Sequence, residues 1–288
     1  MSVDMTGRVV VVTGANAGIG RATARALAGM GAKVLACGRS RARLDEAITS
    51  IRADVADADV VPLVADLSSV SAVRGLAESI QAQSQRLDVL INNAGIGVDR
   101  REETVDGFEL TFAVNHLAPF VLTNALLPLL EASAPARVIT VSSANHVGAK
   151  TLDLEDLQSR KRFAWQEVYA RSKLCNVLFT RELARRLVGT GVTANCLHPG
   201  VIATDFGAGG DLHGFNAWMF RVLKRFLPGP DRGARTSVYL ASSPEVAEVT
   251  GAYFSDLRPT TPSRLATDDA LAAALWRESQ RLVDSVHR

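Results

Sequence analysis

The chain has 288 residues, 47% apolar and 22% charged, and its 32 basic and 30 acidic side chains leave a net charge of +2. That length supports one large α/β domain or two small ones, with a core that needs no metal or disulfide staple. The composition excludes a disordered, collagen-like or low-complexity chain, and the near-neutral balance gives no electrostatic footprint for nucleic acid. Cys37, Cys175 and Cys196 are widely spaced; they form neither a disulfide framework nor a zinc motif and suggest reduced thiols. Met1 to Gly7 is polar, so no signal peptide is expected. The most apolar stretch, Leu117 to Leu130, is broken by Pro119, Thr123, Asn124 and Pro128 and reads as too short to span a bilayer. No integral membrane segment and a cytoplasmic location are expected.

In chain order, Val9–Thr13 reads as a buried strand and the Ala-rich Ala22–Met30 as a helix. Val34–Cys37 and Val60–Val64 follow as strands, then Leu76–Gln83 as an amphipathic helix. Val89–Ile91 and Val138–Val141 are further strands. Tyr169–Val188 carries Leu174, Leu178, Leu183 and Leu187 at helical spacing, and Val192–Leu197 is the sixth strand. Strand–helix alternation without hairpin signals predicts βαβ units. The expected fold is a single-domain, Rossmann-like, doubly wound parallel α/β sheet over the whole chain, with a nucleotide crevice at the carboxyl ends of its strands.

The rhythm breaks at Thr204–Pro230. Gly207, Gly209 and Gly210 form a hinge-like start, and Pro228-Gly229-Pro230 form a stop. Between them, Leu212, Phe215, Met219, Val222, Leu223 and Phe226 recur at helical spacing, with Trp218 beside them. The preferred reading is a lid whose apolar face closes over a ligand; a core helix and a membrane-surface helix are the alternatives.

The first strand runs into Thr13-Gly14-Ala15-Asn16-Ala17-Gly18-Ile19-Gly20. Such a turn brings backbone N–H groups to a pyrophosphate at a helix N-terminus, where side chains would obstruct it. The spacing is G-x-x-x-G-x-G rather than G-x-G-x-x-G, and a ligand-free turn would look the same. Gly14, Asn16, Gly18, Ile19 and Gly20 are the candidate contacts. The second strand ends at Cys37-Gly38-Arg39-Ser40. No carboxylate is present there to bond a ribose 2′-hydroxyl, whereas Arg39, with Ser40 beside it, suits a 2′-phosphate. NADP is therefore expected over NAD; the other reading of Arg39–Arg43 is a solvated helix start.

Tyr169 and Lys173 stand at i and i+4 and share a helix face. A lysine cation beside a phenol favours the phenolate, giving an acid or base usable near neutral pH. Val141-Ser142-Ser143 ends the fifth strand at the functional rim. Taken with Asp66-Leu67, Asn92-Asn93-Ala94-Gly95, Asn115 and His198-Pro199-Gly200, these motifs resemble the short-chain dehydrogenase/reductases from Gly7 to about Asp256.

The resemblance implies about seven parallel strands and hydride transfer between NAD(P) and a carbonyl/alcohol pair. It implies that Tyr169 is the catalytic acid/base, that Lys173 binds the nicotinamide ribose, and that Ser143 rather than Ser142 orients the substrate oxygen. Asn115 would hold a relay water. Asp66 and Leu67 would contact the adenine, and Asn93, Ala94 and Gly95 would pack along the adenosine. Pro199, Gly200, Val201 and Thr204 would contact the nicotinamide or the phosphates, and Arg39 the 2′-phosphate. The long separation of Ser143 from Tyr169, containing Leu152–Leu157 and Trp165, and the tail Gly251–Asp256 resemble the retinol-dehydrogenase/WW-domain-oxidoreductase-like branch. Its membrane-bound members carry an N-terminal anchor that is not expected here. The apolar lid argues for a bulky hydrophobic small-molecule substrate. A homodimer built on the helices around Leu110–Leu130 and Tyr169–Val188 is expected. A catalytically idle NADP-binding regulatory or interaction protein is the alternative, and would lack one of Ser143, Tyr169, Lys173 or Asn115. A sugar-nucleotide epimerase or dehydratase would need a different glycine spacing and a larger C-terminal domain.

Other residues carry plainer readings. The five histidines, His116, His146, His198, His213 and His287, have no metal-ligand spacing. His198 reads as a packing or loop residue, and His146 as either a pocket-lining or a loop residue. Cys175 reads as a small buried apolar residue, and Asp153, Glu155 and Asp156 as a solvated acidic loop.

Overall fold

The computed structural model describes residues 3–200 and 229–286. Five consecutive buried residues make β1 (Val9–Thr13), the centre of the sheet. It pairs in parallel with β2 (Lys33–Gly38) on one side and β4 (Val89–Asn92) on the other. β3 (Val60–Val64) lies outside β2, and β5 (Ala136–Val141), β6 (Val192–His198) and β7 (Tyr253–Ser255) extend the other half in parallel. The order β3-β2-β1-β4-β5-β6-β7-β8 reverses direction between β1 and β4. That reversal opens a crevice above the carboxyl ends of these two strands. The seven parallel strands match the expectation; a two-residue strand β8 (Arg258–Pro259) pairs antiparallel with β7.

Helices cover both faces. On one lie α1 (Gly18–Ala28) and α2 (Arg41–Asp54), with α6 (Pro230–Ser242) packed beside α1. On the other lie α3 (Val70–Gln83), α4 (Leu110–Ala132), α5 (Trp165–Arg186) and α7 (Asp269–Asp284). The helices start earlier than apolar periodicity indicated, because their first turns are marked by caps and loop ends rather than by apolar spacing. Ser69, for example, accepts from the Ala72 N–H at the start of α3. The acidic loop is a correction: Asp156 is buried and accepts from the N–H groups of Arg160 and Lys161 at 2.7 and 3.1 Å.

The reading of Leu117–Leu130 as too short to span a bilayer is also corrected. Pro119 falls in the first turn after a π-helical segment and Pro128 is accommodated inside the helix. The result is a 23-residue helix of mean hydropathy 1.4, long and apolar enough to cross a membrane, with 72% of its apolar window buried inside the protein. Its partners are the chain's own. Phe120 meets Phe179 of α5 and Trp276 of α7, with ring centroids 5.9 and 4.9 Å apart. Trp276 stacks on Phe179 at 5.7 Å, and the Arg186 guanidinium lies 4.3 Å over its ring. Thus α7 covers part of the α4–α5 face to which a subunit contact was assigned. The expected lid at Thr204–Pro230, with its stripe of Leu212, Phe215, Met219, Val222, Leu223 and Phe226, lies outside the described residues, except for Gly229 and Pro230, which start α6.

Candidate active site

The candidate residues gather where the strands end. Gly14 follows β1 and Arg39 follows β2; Asp66 lies just past β3, Asn93 follows β4, Ser143 lies just past β5, and Pro199 follows β6. Gly14 has φ +68°, which an L side chain rarely adopts. A Cβ on Gly20 would lie 2.2 Å from the Gly14 carbonyl oxygen and 2.5 Å from Asn93 Nδ2. The turn therefore closes onto α1 only with hydrogen at that position. Gly18 and Ile19 open α1, whose cap, Ala17, offers no side-chain acceptor, and no acidic residue occupies its first turn. These N–H donors, lined by backbone rather than side chains, fit the pyrophosphate of a dinucleotide. Asn16 Oδ1 packs against Gly38, 3.0 Å from where a Cβ would be.

Thr13 holds the crevice together. Its Oγ1 accepts from the N–H groups of Asn93 and Ala94, both at 3.0 Å, and Asn93 Nδ2 donates back to the Thr13 carbonyl at 2.7 Å. Asn93 and Ala94 are thereby fixed across the switch point. Their clamp, Thr13, was not singled out from sequence, since the contact joins residues 80 apart. At the far side, Arg39 is exposed and makes no ion pair among the described residues. Arg41 is occupied by Asp45, with Nε–Oδ distances of 2.9 Å, and Ser40 caps α2 by accepting from the Arg43 N–H. Asp66 is exposed and its Oδ1 accepts from Ser68, while Leu67 packs on the core. Pro199 is half-buried, and Gly200, at φ +84°, donates to His198 Nδ1 at 3.2 Å. Val201 and Thr204 lie outside the described residues.

The chemical centre lies between β4, β5 and α5. Ser142 is buried and donates to the Lys173 carbonyl at 2.7 Å; Ser143 is half-buried and hydrogen-bonds the Tyr169 side chain. Lys173 Nζ is buried, donates to the Val141 carbonyl at 3.2 Å and lies 5.7 Å from the Tyr169 ring centroid. A Cβ on Gly95 would stand 2.8 Å from Nζ, so a larger residue there would displace the ammonium. Burial pulls the Lys173 pKa down to about 8. Burial also pushes the Tyr169 phenol up to about 12, and the Ser143 hydrogen bond only partly offsets this. This corrects the expected lowering of the tyrosine by its lysine: desolvation of the buried phenol outweighs the hydrogen bond that lowers it, and the chain by itself keeps Tyr169 protonated at neutral pH.

Asn115 sits in the π-helical segment Ala113–Leu117. Its Nδ2 donates to the Ile96 carbonyl and Ser172 Oγ, each at 2.9 Å, and its Oδ1 accepts from the Ile96 N–H at 2.7 Å. The side chain is thus a clamp joining α4, α5 and the segment after β4. Ser172, the α5 side of that clamp, carried no sequence signal. His146 is buried. Among the described residues, no group of histidine, cysteine and acidic side chains could hold a metal ion. The three cysteines are free and buried, and burial raises the Cys175 thiol to about 12.

The short chain dehydrogenase family profile matches residues 8–210. The chain belongs to the short-chain dehydrogenases. Retinol dehydrogenase 14 of Mus musculus is 42% identical over 97% of this chain and 86% of its own length. Retinol dehydrogenase 12 of Homo sapiens is 42% identical over 98% and 88%, and polyprenol dehydrogenase of Mus musculus 42% over 96% and 84%. Among solved structures, an uncharacterised protein from Mycobacterium paratuberculosis superposes with TM-score 0.79 at 36% identity, covering 98% of this chain and 95% of the other. The Pseudomonas aeruginosa RhlG/NADP complex superposes with TM-score 0.70 at 29% identity over 87% and 95%. This short-chain dehydrogenase therefore lies in the retinol-dehydrogenase branch, and its class of chemistry is oxidoreduction through an NAD(P) cofactor.

Proposed function

We propose that this short-chain dehydrogenase transfers a hydride between NADP(H) and the carbonyl/alcohol pair of a bulky hydrophobic small molecule. The observation that carries the reading is the convergence of Ser143, Tyr169 and Lys173 beside the Gly14–Gly20 turn. The bound nucleotide would supply the hydride as NADPH in carbonyl reduction and accept it as NADP+ in alcohol oxidation. The turn and the α1 N-terminus would hold its pyrophosphate, and Asp66, Leu67 and Asn93–Gly95 would lie along its adenosine. Pro199 and Gly200, with Val201 and Thr204, would hold its nicotinamide end. Lys173, a buried ammonium with one carbonyl acceptor, has donors left for the ribose hydroxyls. Ser143 would hold the substrate oxygen, and the protonated Tyr169 would give its proton to that oxygen as negative charge develops. In the reverse direction the same phenol must first lose its proton.

NADP rests on Arg39, exposed and unpaired among the described residues at the end of β2, with no carboxylate beside it. A hydrophobic substrate rests on the apolar stripe in Asp211–Leu227 and on relatives named for retinol and polyprenol. The test is a panel of apolar and polar ketones, aldehydes and alcohols with each nicotinamide, followed at the nicotinamide absorbance. We expect the fastest turnover with NADP(H) and a bulky apolar substrate; preference for NADH, or turnover of only small polar compounds, would refute those assignments. No turnover with any member would favour the idle regulatory reading. A cytoplasmic location is supported by the buried free thiols and the enclosed α4, and recovery in the membrane fraction would refute it. A homodimer would have to form on the part of α4 and α5 that α7 leaves open, and a monomer by light scattering at micromolar concentration would refute it.

A further inference from the structure

His146 is buried three residues after Ser143, on a short 3-10 turn that Ser143 itself caps. Its Nε2 accepts from the Ser263 backbone N–H at 3.0 Å. A backbone N–H can only donate, so Nε2 is unprotonated, and the neutral ring must carry its hydrogen on Nδ1. Nδ1 lies 2.8 Å from the Ser143 carbonyl oxygen. The same oxygen accepts from the His146 backbone N–H at 3.1 Å and faces the Tyr253 hydroxyl at 3.4 Å. Tyr253, on β7, also lies 3.2 Å from Nδ1 and meets the imidazole edge-on at 5.0 Å. Three donors from two parts of the chain thus hold one carbonyl, and the tautomer of the strongest is set by a residue more than a hundred positions away. On the other side of the serine, Oγ accepts from the Asn145 N–H at 3.1 Å and bonds the Tyr169 side chain.

We propose that His146, fixed as its Nδ1–H tautomer by Ser263, is a positioning residue that orients Ser143 toward Tyr169. The inference rests on the reading of Ser143 as the group that holds the substrate oxygen. Gripping the Ser143 carbonyl fixes the peptide plane from which Cα and Oγ project, which a flexible loop serine would lack. Burial lowers the imidazole pKa, which keeps the ring neutral and the Ser263 contact intact. His198, the neighbouring imidazole on β6, also has a depressed pKa and accepts from the Gly200 N–H, so neither ring places a cation beside the serine.

Two measurements test this. The first is 15N NMR of the wild-type imidazoles at pH 7, which needs neither substrate nor cofactor. His146 is expected as the neutral Nδ1–H form; an Nε2–H or doubly protonated ring overturns the proposal, whatever the enzyme turns over. The second compares His146→Phe with His146→Asn, whose amide can place an N–H near the Nδ1 position. The Phe variant should lose about 10- to 100-fold in kcat, the scale of a small misplacement of a reacting group, with the nucleotide Kd unchanged. The Asn variant should recover most of that loss. Wild-type kcat in the Phe variant, or equal loss in both, overturns the proposal. A wild-type chain that turns over nothing refutes the proposed function instead, leaving the NMR result to decide the tautomer assignment.

Discussion

Lys173→Met separates folding from function, because the native lysine opposes one while serving the other. Its ammonium is buried against the Val141 carbonyl, and burial moves its pKa from 10.5 to about 8. At about 1.4 kcal/mol per tenfold, the folded state penalises the charged form by about 3 kcal/mol. Below pH 8 both folded and unfolded chains carry the charge and the full penalty applies. Between pH 8 and 10.5 the folded chain releases its proton first, and above 10.5 the penalty is gone. Methionine fills a similar volume without charge. The Val141 carbonyl keeps Asn176 Nδ2 as a donor at 3.3 Å, so the lost hydrogen bond returns only about 1 kcal/mol to the other side of the balance. The variant without nucleotide should therefore be more stable than wild type by about 1–3 kcal/mol at pH 7, by urea denaturation. The gap should close as pH rises toward 10, and the variant should bind nicotinamide nucleotide weakly and be inactive. A variant less stable than wild type at pH 7, by an amount independent of pH, would refute the description of Lys173 as a buried cation awaiting a ligand.

Gly20→Ala should force the turn open, since its Cβ would fall 2.2 Å from the Gly14 carbonyl oxygen; we expect about 2–4 kcal/mol of destabilisation and weakened nucleotide binding. The control Gly75→Ala, with open space around it in α3, should gain about 0.4–1 kcal/mol; equal effects at both sites would contradict the close approach. Arg39→Asp should cost NADPH about 10–150-fold in Kd by isothermal titration, while leaving NADH affinity equal or better. Trp276→Ala removes a ring packed between Phe120, Phe179 and Arg186 and should destabilise by about 3–5 kcal/mol; a loss below 1 kcal/mol would refute the docking of α7 on α4 and α5.

The parallel sheet was legible because β1, β2, β4, β5 and β6 are almost wholly buried and, with the edge strand β3, read as short apolar runs. The glycine turn and the Tyr169/Lys173 pair were legible because their chemistry depends on residues close in sequence. What escaped was set by contacts across the fold. Thr13 is defined by Asn93 and Ala94, Ser172 by Asn115, and His146 by Ser263. The same holds for α4, where two prolines suggested interruption but the π-helical segment and the surrounding core keep the helix continuous. The protonation of Tyr169 could not be read from its i,i+4 lysine either, because desolvation is a property of the assembled site.

The central claim is that Tyr169 delivers a proton to the substrate oxygen, and Tyr169→Phe tests it most directly. The substitution removes one oxygen from a side chain whose ring stays packed, so the fold and the NADPH Kd should be unchanged. Carbonyl reduction by NADPH should slow by about 10²–10⁴-fold in kcat, the usual contribution of a general acid. A Phe variant that folds, binds NADPH as wild type does and reduces the same substrate at a near wild-type rate would contradict the account.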